Sequence, residues 1–207
     1  NTTAQTVEVI SDFLARRNNL ILSNGPTSGR RMDRLNQGIG TSETLAFRNG
    51  DLKSMNPVNF NLLSLGSGSY TVSTSLQQVE RAAVMFQLAH DGDDDYTTTL
   101  KNRRFDIWFE AHYNKFEGAN GAGGHFGIAY LGADYLFSKD VLAGVMLQYD
   151  TLEDIGASSS ISGDGWMIGP YMTARLAPNL IFDGRIAYGR SSNDISPFNT
   201  YTDQFAS

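Results

Sequence analysis

The stretch RFDIWFEAHYNKFE, residues 104–117, decides the fold. Phe105, Ile107, Phe109, Ala111 and Tyr113 alternate with Arg104, Asp106, Trp108, Glu110 and His112. A period of two sorts the two sets onto opposite faces of a β-strand; a helix would mix them. The pattern then repeats. In His125–Phe137, Ala129, Leu131, Ala133, Tyr135 and Phe137 oppose Tyr130, Gly132 and Asp134. Val141–Asp150, Trp166–Leu176 and Leu180–Arg190 alternate in the same way. Five strands are therefore expected, with a sixth starting at Tyr201. Their connections differ in length. Ser138-Lys139-Asp140 and Ala177-Pro178-Asn179 are tight turns, whereas Gly118–Gly124, Ile155–Gly165 and Ser191–Thr200 read as longer Gly- and Ser-rich loops. Short turns at one end and long loops at the other are the plan of an outer-membrane β-barrel.

The expected fold class is mainly β, an antiparallel up-and-down meander of five to six strands preceded by a helical and irregular N-terminal segment. Residues 1–103 form that linker segment and 104–207 the first strands of the barrel domain. The boundary follows composition. Acids and bases balance in the first half, so the whole net charge of −6 lies beyond Arg103, along with most of the aromatics. In the first half, Val7, Ile10, Phe13 and Leu14 recur at helical steps until Asn24-Gly25-Pro26 stops them. Residues 36–75 read as irregular, with short strands near Val58–Leu65 and Tyr70–Ser73. Ser75–Ala89 reads as a helix with Leu76, Val79, Ala83 and Phe86 on its packed face.

Composition narrows the function. No cysteine is present, which excludes disulfides, thiol nucleophiles and Cys-ligated zinc. No apolar run approaches the ~20 residues of a membrane helix. The acidic balance argues against nonspecific nucleic-acid binding. The chain starts without Met or a signal peptide, so a processed or partial N-terminus is expected. The polar faces of the strands carry Gly, Asp, Arg, Gln, His and Thr with almost no Lys. That suits a wet lumen better than a solvated exterior. Tyr113, Tyr135, Phe137, Tyr149 and Tyr188 stand near strand ends on the apolar face, as aromatics do at membrane interfaces. Trp108 falls on the polar face and Trp166 on the apolar one. Trp108 is either a wall aromatic or a seat for a pore helix such as Ser75–Ala89.

Gly132-Ala133-Asp134-Tyr135 before a tight turn, with Gly144 in the next strand, resembles the translocator β-barrel domain of type V autotransporters. The N-terminal pieces Phe13-Leu14, Arg17, Leu20, Ser23-Asn24, Pro26 and Arg30-Arg31-Met32-Asp33-Arg34-Leu35 are similar to the segment that precedes such barrels. The resemblance implies a twelve-stranded barrel in the outer membrane of a Gram-negative bacterium, with a helix threading its pore, helping export a passenger domain. Here it implies a truncated translocator, ending at Phe205-Ala206-Ser207. Its implied partners are outer-membrane lipid, the barrel-assembly machinery and its own passenger, with a homo-oligomer possible through open sheet edges. The alternative is a soluble antiparallel β-domain binding a small apolar ligand or a protein partner.

No catalytic, cofactor or metal residues are assigned, and the chain is not expected to be an enzyme. Asn18-Asn19 is a weak candidate for self-cleavage, with Asp106, Glu110, Asp134 or Asp150 as the assisting acid. The ordinary reading is an Asn pair near a helix end and carboxylates lining a polar pore. Asp91, Asp93, Asp94 and Asp95 lack the later Glu of a calcium loop and read as a solvated acidic linker. His90, His112 and His125 have no ligand spacing. Gly66-Ser67-Gly68 neither cradles a phosphate nor forms a nucleophile elbow.

Overall fold

The computed structural model describes residues 2–37, 42–47, 57–63, 68–90, 96–117, 123–155 and 159–197. Three helices and ten strands follow in order: α1 (Thr2–Ser23), α2 (Ser28–Gln37), β1 (Ser42–Phe47), β2 (Asn59–Leu63), β3 (Ser69–Ser75), α3 (Leu76–His90), β4 (Tyr96–Lys101), β5 (Phe105–Glu117), β6 (Gly123–Ser138), β7 (Val141–Ile155), β8 (Ser159–Ala177), β9 (Leu180–Arg185) and β10 (Tyr188–Pro197). Strands β1 and β4 pair as a separate antiparallel ribbon, β1 in a stretch the sequence read as irregular. The other eight form one antiparallel sheet, in the order β10, β8, β7, β6, β5, β3, β2, with β9 also on β8.

All five staves read between residues 104 and 190 are present. The count rises to eight for two reasons. First, β2 and β3 come from before Arg104, and β3 pairs antiparallel with β5, Ser69 opposite Asn114 and Ser75 opposite Trp108. Second, the stave read as Leu180–Arg190 is divided. Tyr171 faces Arg185 and Ile168 faces Tyr188, so β9 and β10 keep one register across the gap. At the gap Ile186 N–H donates to Pro170 O at 3.1 Å. Pro170 has no N–H to return the bond, and the ladder breaks there.

Two of the stretches read as long loops, Ile155–Gly165 and Ser191–Thr200, are largely strand where described. β7 runs to Ile155, β8 begins at Ser159, and β10 continues to Pro197. The alternation stopped earlier because it marks only the apolar band. On the outward face that band ends at Tyr113, Tyr149, Trp166 and Tyr188. Lys115, Thr151, Glu153, Asp164 and Arg190 take over on the same face, while the backbone goes on pairing. At the turn end the band closes on Phe105, Tyr135 and Phe137. From Phe105 to Tyr113 it matches the ~9–11 residues of a tilted spanning strand. The sixth strand expected at Tyr201 and the end at Ser207 lie outside the described residues.

Exposure settles which face is inside. Asp106, Asp134 and Asp150 are 1–2% exposed, whereas Phe105, Leu131, Leu147 and Trp166 are 41–51% exposed. The sheet buries its polar face and presents its apolar face outward, the reverse of a water-soluble sandwich. What covers the polar face is α1 and α2. Phe13, Arg17, Arg31, Arg34 and Leu35 of these helices are all buried against it.

Helix α2 was not expected as a helix. Helix α3 was, but its packed face differs: Ala82 and Met85 are buried while Val79 and Phe86 are largely exposed. Trp108 is a wall residue on the inner face, and its cationic neighbour comes from α2, not α3. The Arg30 guanidinium lies over its ring at 4.5 Å. Trp108 also meets Tyr171 edge-on, its Nε1–H donating to the phenol oxygen at 2.8 Å. Among the described residues no helix is long and apolar enough to cross a membrane.

Trp108 lies across Gly132 of the neighbouring strand. A Cβ at residue 132 would stand 2.3–2.4 Å from three indole atoms. Gly132→Ala is expected to cost about 1–3 kcal/mol by overpacking, read as a lower urea midpoint in detergent. Trp108→Phe added to that background is expected to recover part of the loss.

Candidate functional site

The inner face is a column of carboxylates, and the α1–α2 segment packed on it carries a column of arginines. Contacts descend in order from the end of the sheet opposite the tight turns. Arg16 pairs with Asp154 at 2.6 Å, near the far end of β7. One turn of strand deeper, Arg17 directs Nε and Nη2 to one oxygen of Asp150, at 2.8 and 2.7 Å. Its Nη1 donates to Asn193 Oδ1 at 2.9 Å and to the Ser191 hydroxyl of β10. At mid-depth Asn24 takes over. Its backbone carbonyl accepts from the Tyr130 hydroxyl, and its side-chain oxygen accepts from Asn114, both at 3.0 Å. Thr27 donates its N–H and its hydroxyl to Glu110, at 3.1 and 2.6 Å. Glu110 also contacts His112 at 2.9 Å.

Toward the turn end α2 supplies three arginines, Arg30 and Arg31 from one turn and Arg34 from the next. Arg30 reaches Asp134 at 2.8 Å and Asp106 at 3.4 Å. Arg31 turns to the opposite wall and pairs with Asp183 at 2.6 Å. Arg34 Nε stands 2.9 Å from Asp134 Oδ1, close enough to pair but not aligned as a hydrogen bond. Its terminal nitrogens donate to the backbone carbonyls of Arg103 and Arg104, at 3.3 and 2.8 Å, where β5 begins. Asp134 also accepts from the Tyr171 hydroxyl at 2.8 Å. The chain leaves at the rim, where Arg175 donates to Asn36.

Arginine fits this work better than lysine would. Its planar fork can bind a carboxylate and a neighbouring amide, hydroxyl or carbonyl at once. Space for that fork comes from glycine. A Cβ at residue 165 would lie 2.5 Å from Arg17 Nη2, and one at residue 163 would lie 3.2 Å from its Nη1. The two glycines of β8 are the seat of the Arg17 guanidinium.

Asp106, Glu110, Asp134 and Asp150, the carboxylates offered as assisting acids, are all buried, and all hold the α1–α2 segment. Asn18 and Asn19 are exposed within the unbroken helix α1, and the carboxylate beside their neighbour Arg17 is Asp150. His112 sits between Glu110 and the Thr71 hydroxyl, and His125 contacts Glu153 at 3.4 Å. The side chain of His90, the run Asp91–Asp95 and Gly66-Ser67 lie outside the described residues. Among the described residues no group of three or more His, Asp or Glu is arranged to hold a metal ion.

The residues that sequence reading left without a role are the arginines. Their signal was present: Arg30, Arg31 and Arg34 share one side of a helix at spacings of three and four, beside a barrel whose inner face is acidic.

Residues 107–206 match the model of the family described as autotransporter beta-domain. No curated protein and no solved structure matches the chain.

Removing one member of the Arg17–Asp150 pair leaves a buried charge alone. Arg17→Ala is expected to cost about 3–5 kcal/mol. Arg17→Ala with Asp150→Ala is expected to cost less than the two single losses summed. The measurement is a double-mutant cycle on urea unfolding in detergent; additive losses would mean the pair is not coupled.

Proposed function

Residues 107–206 belong to the autotransporter β-domain family, and on that premise we propose that this chain is an outer-membrane translocator whose lumen holds its own N-terminal segment. The observation that carries the reading is the inverted sheet. An apolar outer band bounded by aromatics needs lipid, and a charged inner face needs a polar filling. The α1–α2 segment supplies that filling through Arg17, Asn24, Thr27, Arg30 and Arg34.

The threading has a direction. α1 enters at the end where strands run beyond the apolar band, and α2 leaves at the tight-turn end. In outer-membrane barrels the short turns face the periplasm. A passenger joined ahead of α1 would therefore stand outside the cell. The proposed location is the outer membrane of a Gram-negative bacterium. The proposed partners are its lipid, the barrel-assembly machinery and the passenger. The role is physical rather than catalytic: a laddered wall keeps backbone groups paired in lipid, and its polar interior passes and then holds a chain. Residues 1–103 are proposed as the linker and 104–207 as the barrel portion, with the hairpin β2–β3 of the linker occupying the edge of β5. The free side of β10 is a proposed site for pairing with a second copy.

The chain's product in cell envelopes is expected to run faster on gels before boiling than after. Migration unaffected by boiling, with the protein in the soluble fraction, would leave the soluble β-domain instead. Two substitutions on the outward face of β7 sharpen the test. Leu147→Arg is expected to cost about 2–4 kcal/mol in lipid and Thr151→Arg about 0–1, because only the first lies within the band. Equal effects would reject lipid around that face. Direction is read separately, because the chain contains no cysteine. On intact cells an impermeant maleimide is expected to label Asp12→Cys and not Lys139→Cys; the reverse pattern would invert the threading.

A further inference from the structure

We propose that the open cleft at the turn end of the wall binds an anionic phospholipid, its phosphate between Lys101 and Arg104 and its acyl chains against Phe105 and Tyr135. The proposal rests on the outer-membrane reading above and adds a specific ligand to it.

The cleft measures about 930 Å³, within the range of small-molecule sites. It lies between α3 and the start of β5. Ala83 and Val84 of α3, Leu100 of β4 and the rings of Phe105 and Tyr135 make its apolar lining. Phe105 and Tyr135 stand opposite each other in register, and both are well exposed. They belong to the last row of outward aromatics before the tight turn Lys139-Asp140. That row is where a bilayer passes from acyl chains to headgroups. The cleft therefore opens at headgroup depth, with its apolar floor continuous with the lipid-facing band.

Its mouth is cationic in a chain of net charge −6. Lys101, Arg103 and Arg104 all border it. Arg103 is held by Glu80 at 2.7 Å, and Glu80 is the one carboxylate among the described lining residues. Lys101 and Arg104 are exposed and make no ion pair with any described residue. Asp106, the next acid along the strand, points to the other face and is consumed by Arg30 and the Gln77 N–H. Two cations with no ion-pair partner among the described residues, over an apolar floor at headgroup depth, match a phosphate carried on acyl chains. A soluble phosphate would use only the cations, and a neutral lipid only the floor. Basic pockets of this kind take acidic headgroups at membrane surfaces.

The test uses the whole chain, extracted in mild detergent and given equal amounts of dioleoyl phosphatidylglycerol and dioleoyl phosphatidylcholine. Retained lipid is read by native mass spectrometry, and heat-modifiable migration is followed on the same samples. Preferential retention of phosphatidylglycerol is expected. Lys101→Ala with Arg104→Ala is expected to weaken it about tenfold or more. Ala83→Trp, which fills the cleft without changing charge, is expected to weaken it as well, and Lys139→Ala at the adjacent turn is expected to leave it unchanged. Lys101→Gln alone carries the test should the double variant fail to fold. Equal retention of the two lipids overturns the site, as does binding that survives loss of both cations. Binding indifferent to Ala83→Trp also overturns it, because the cleft is then not the seat. A folded, heat-modifiable chain without lipid preference rejects only the site; a chain with no heat-modifiable form rejects the membrane reading itself.

Discussion

Asp134 is the point on which wall and filling depend together. It is buried on β6, accepts from Tyr171 across the sheet, and lies between Arg30 and Arg34 of α2. A carboxylate so enclosed is stable only if cations and donors surround it. The wall supplies one donor, and α2 supplies both charges. The sheet that carries Asp134 therefore needs the helix, and the helix has no other place to set its arginines. The same reciprocity holds at Arg17 and Asp150, and at Thr27 and Glu110.

This dependence follows from turning the sheet inside out. Strands in lipid must face it with apolar side chains, so the alternate residues are forced inward. Those inward positions hold Asp106, Glu110, Asp134, Gln148 and Asp150, together with Trp108, Tyr130 and Tyr171. An apolar helix laid against them would strand every carboxylate. A segment bearing Arg17, Arg30, Arg31 and Arg34 matches them instead. Gly132, Gly163 and Gly165 complete the fit by leaving room for an indole ring and a guanidinium.

Much of the wall was legible because lipid imposes a strict period on the strands. Phe105 through Tyr113 could be read as one stave from residue types alone, and Ala133 through Phe137 as part of the next. The reading stopped where the lipid stops. Beyond Tyr149 and Trp166 the outward residues are Thr151, Glu153, Asp164 and Ser162, which carry no alternation, so strand was taken for loop. Strand β3 was short and polar, and only its pairing with β5 reveals it as part of the sheet. The break at Ile186 was likewise hidden, since it depends on which residue of the neighbouring strand is proline. The inner site was legible by halves. Its carboxylates stood out on the polar faces, but their partners lie more than seventy positions away, and periodicity within a strand says nothing about what fills the space beside it.

The choice of ion pairs over apolar contacts has a consequence for the proposed role, in which a lumen would first pass a chain and then hold one. An apolar lining would grip any unfolded segment in transit, since burial of apolar area is not selective. Carboxylates in an open, wet pore stay hydrated and offer a passing chain little, because each contact must repay the water it displaces. Only a segment whose cations meet all of them in register gains enough to exclude the water. Arg17, Arg30, Arg31 and Arg34 meet Asp150, Asp106 and Asp134, and Asp183 in one such register. A shift of α1 and α2 by one helical turn would break the Arg17–Asp150 and Arg31–Asp183 pairs together. On the proposed function the wall would distinguish the segment that stays from those that pass by charge spacing, with Gly163 and Gly165 giving the Arg17 guanidinium its seat.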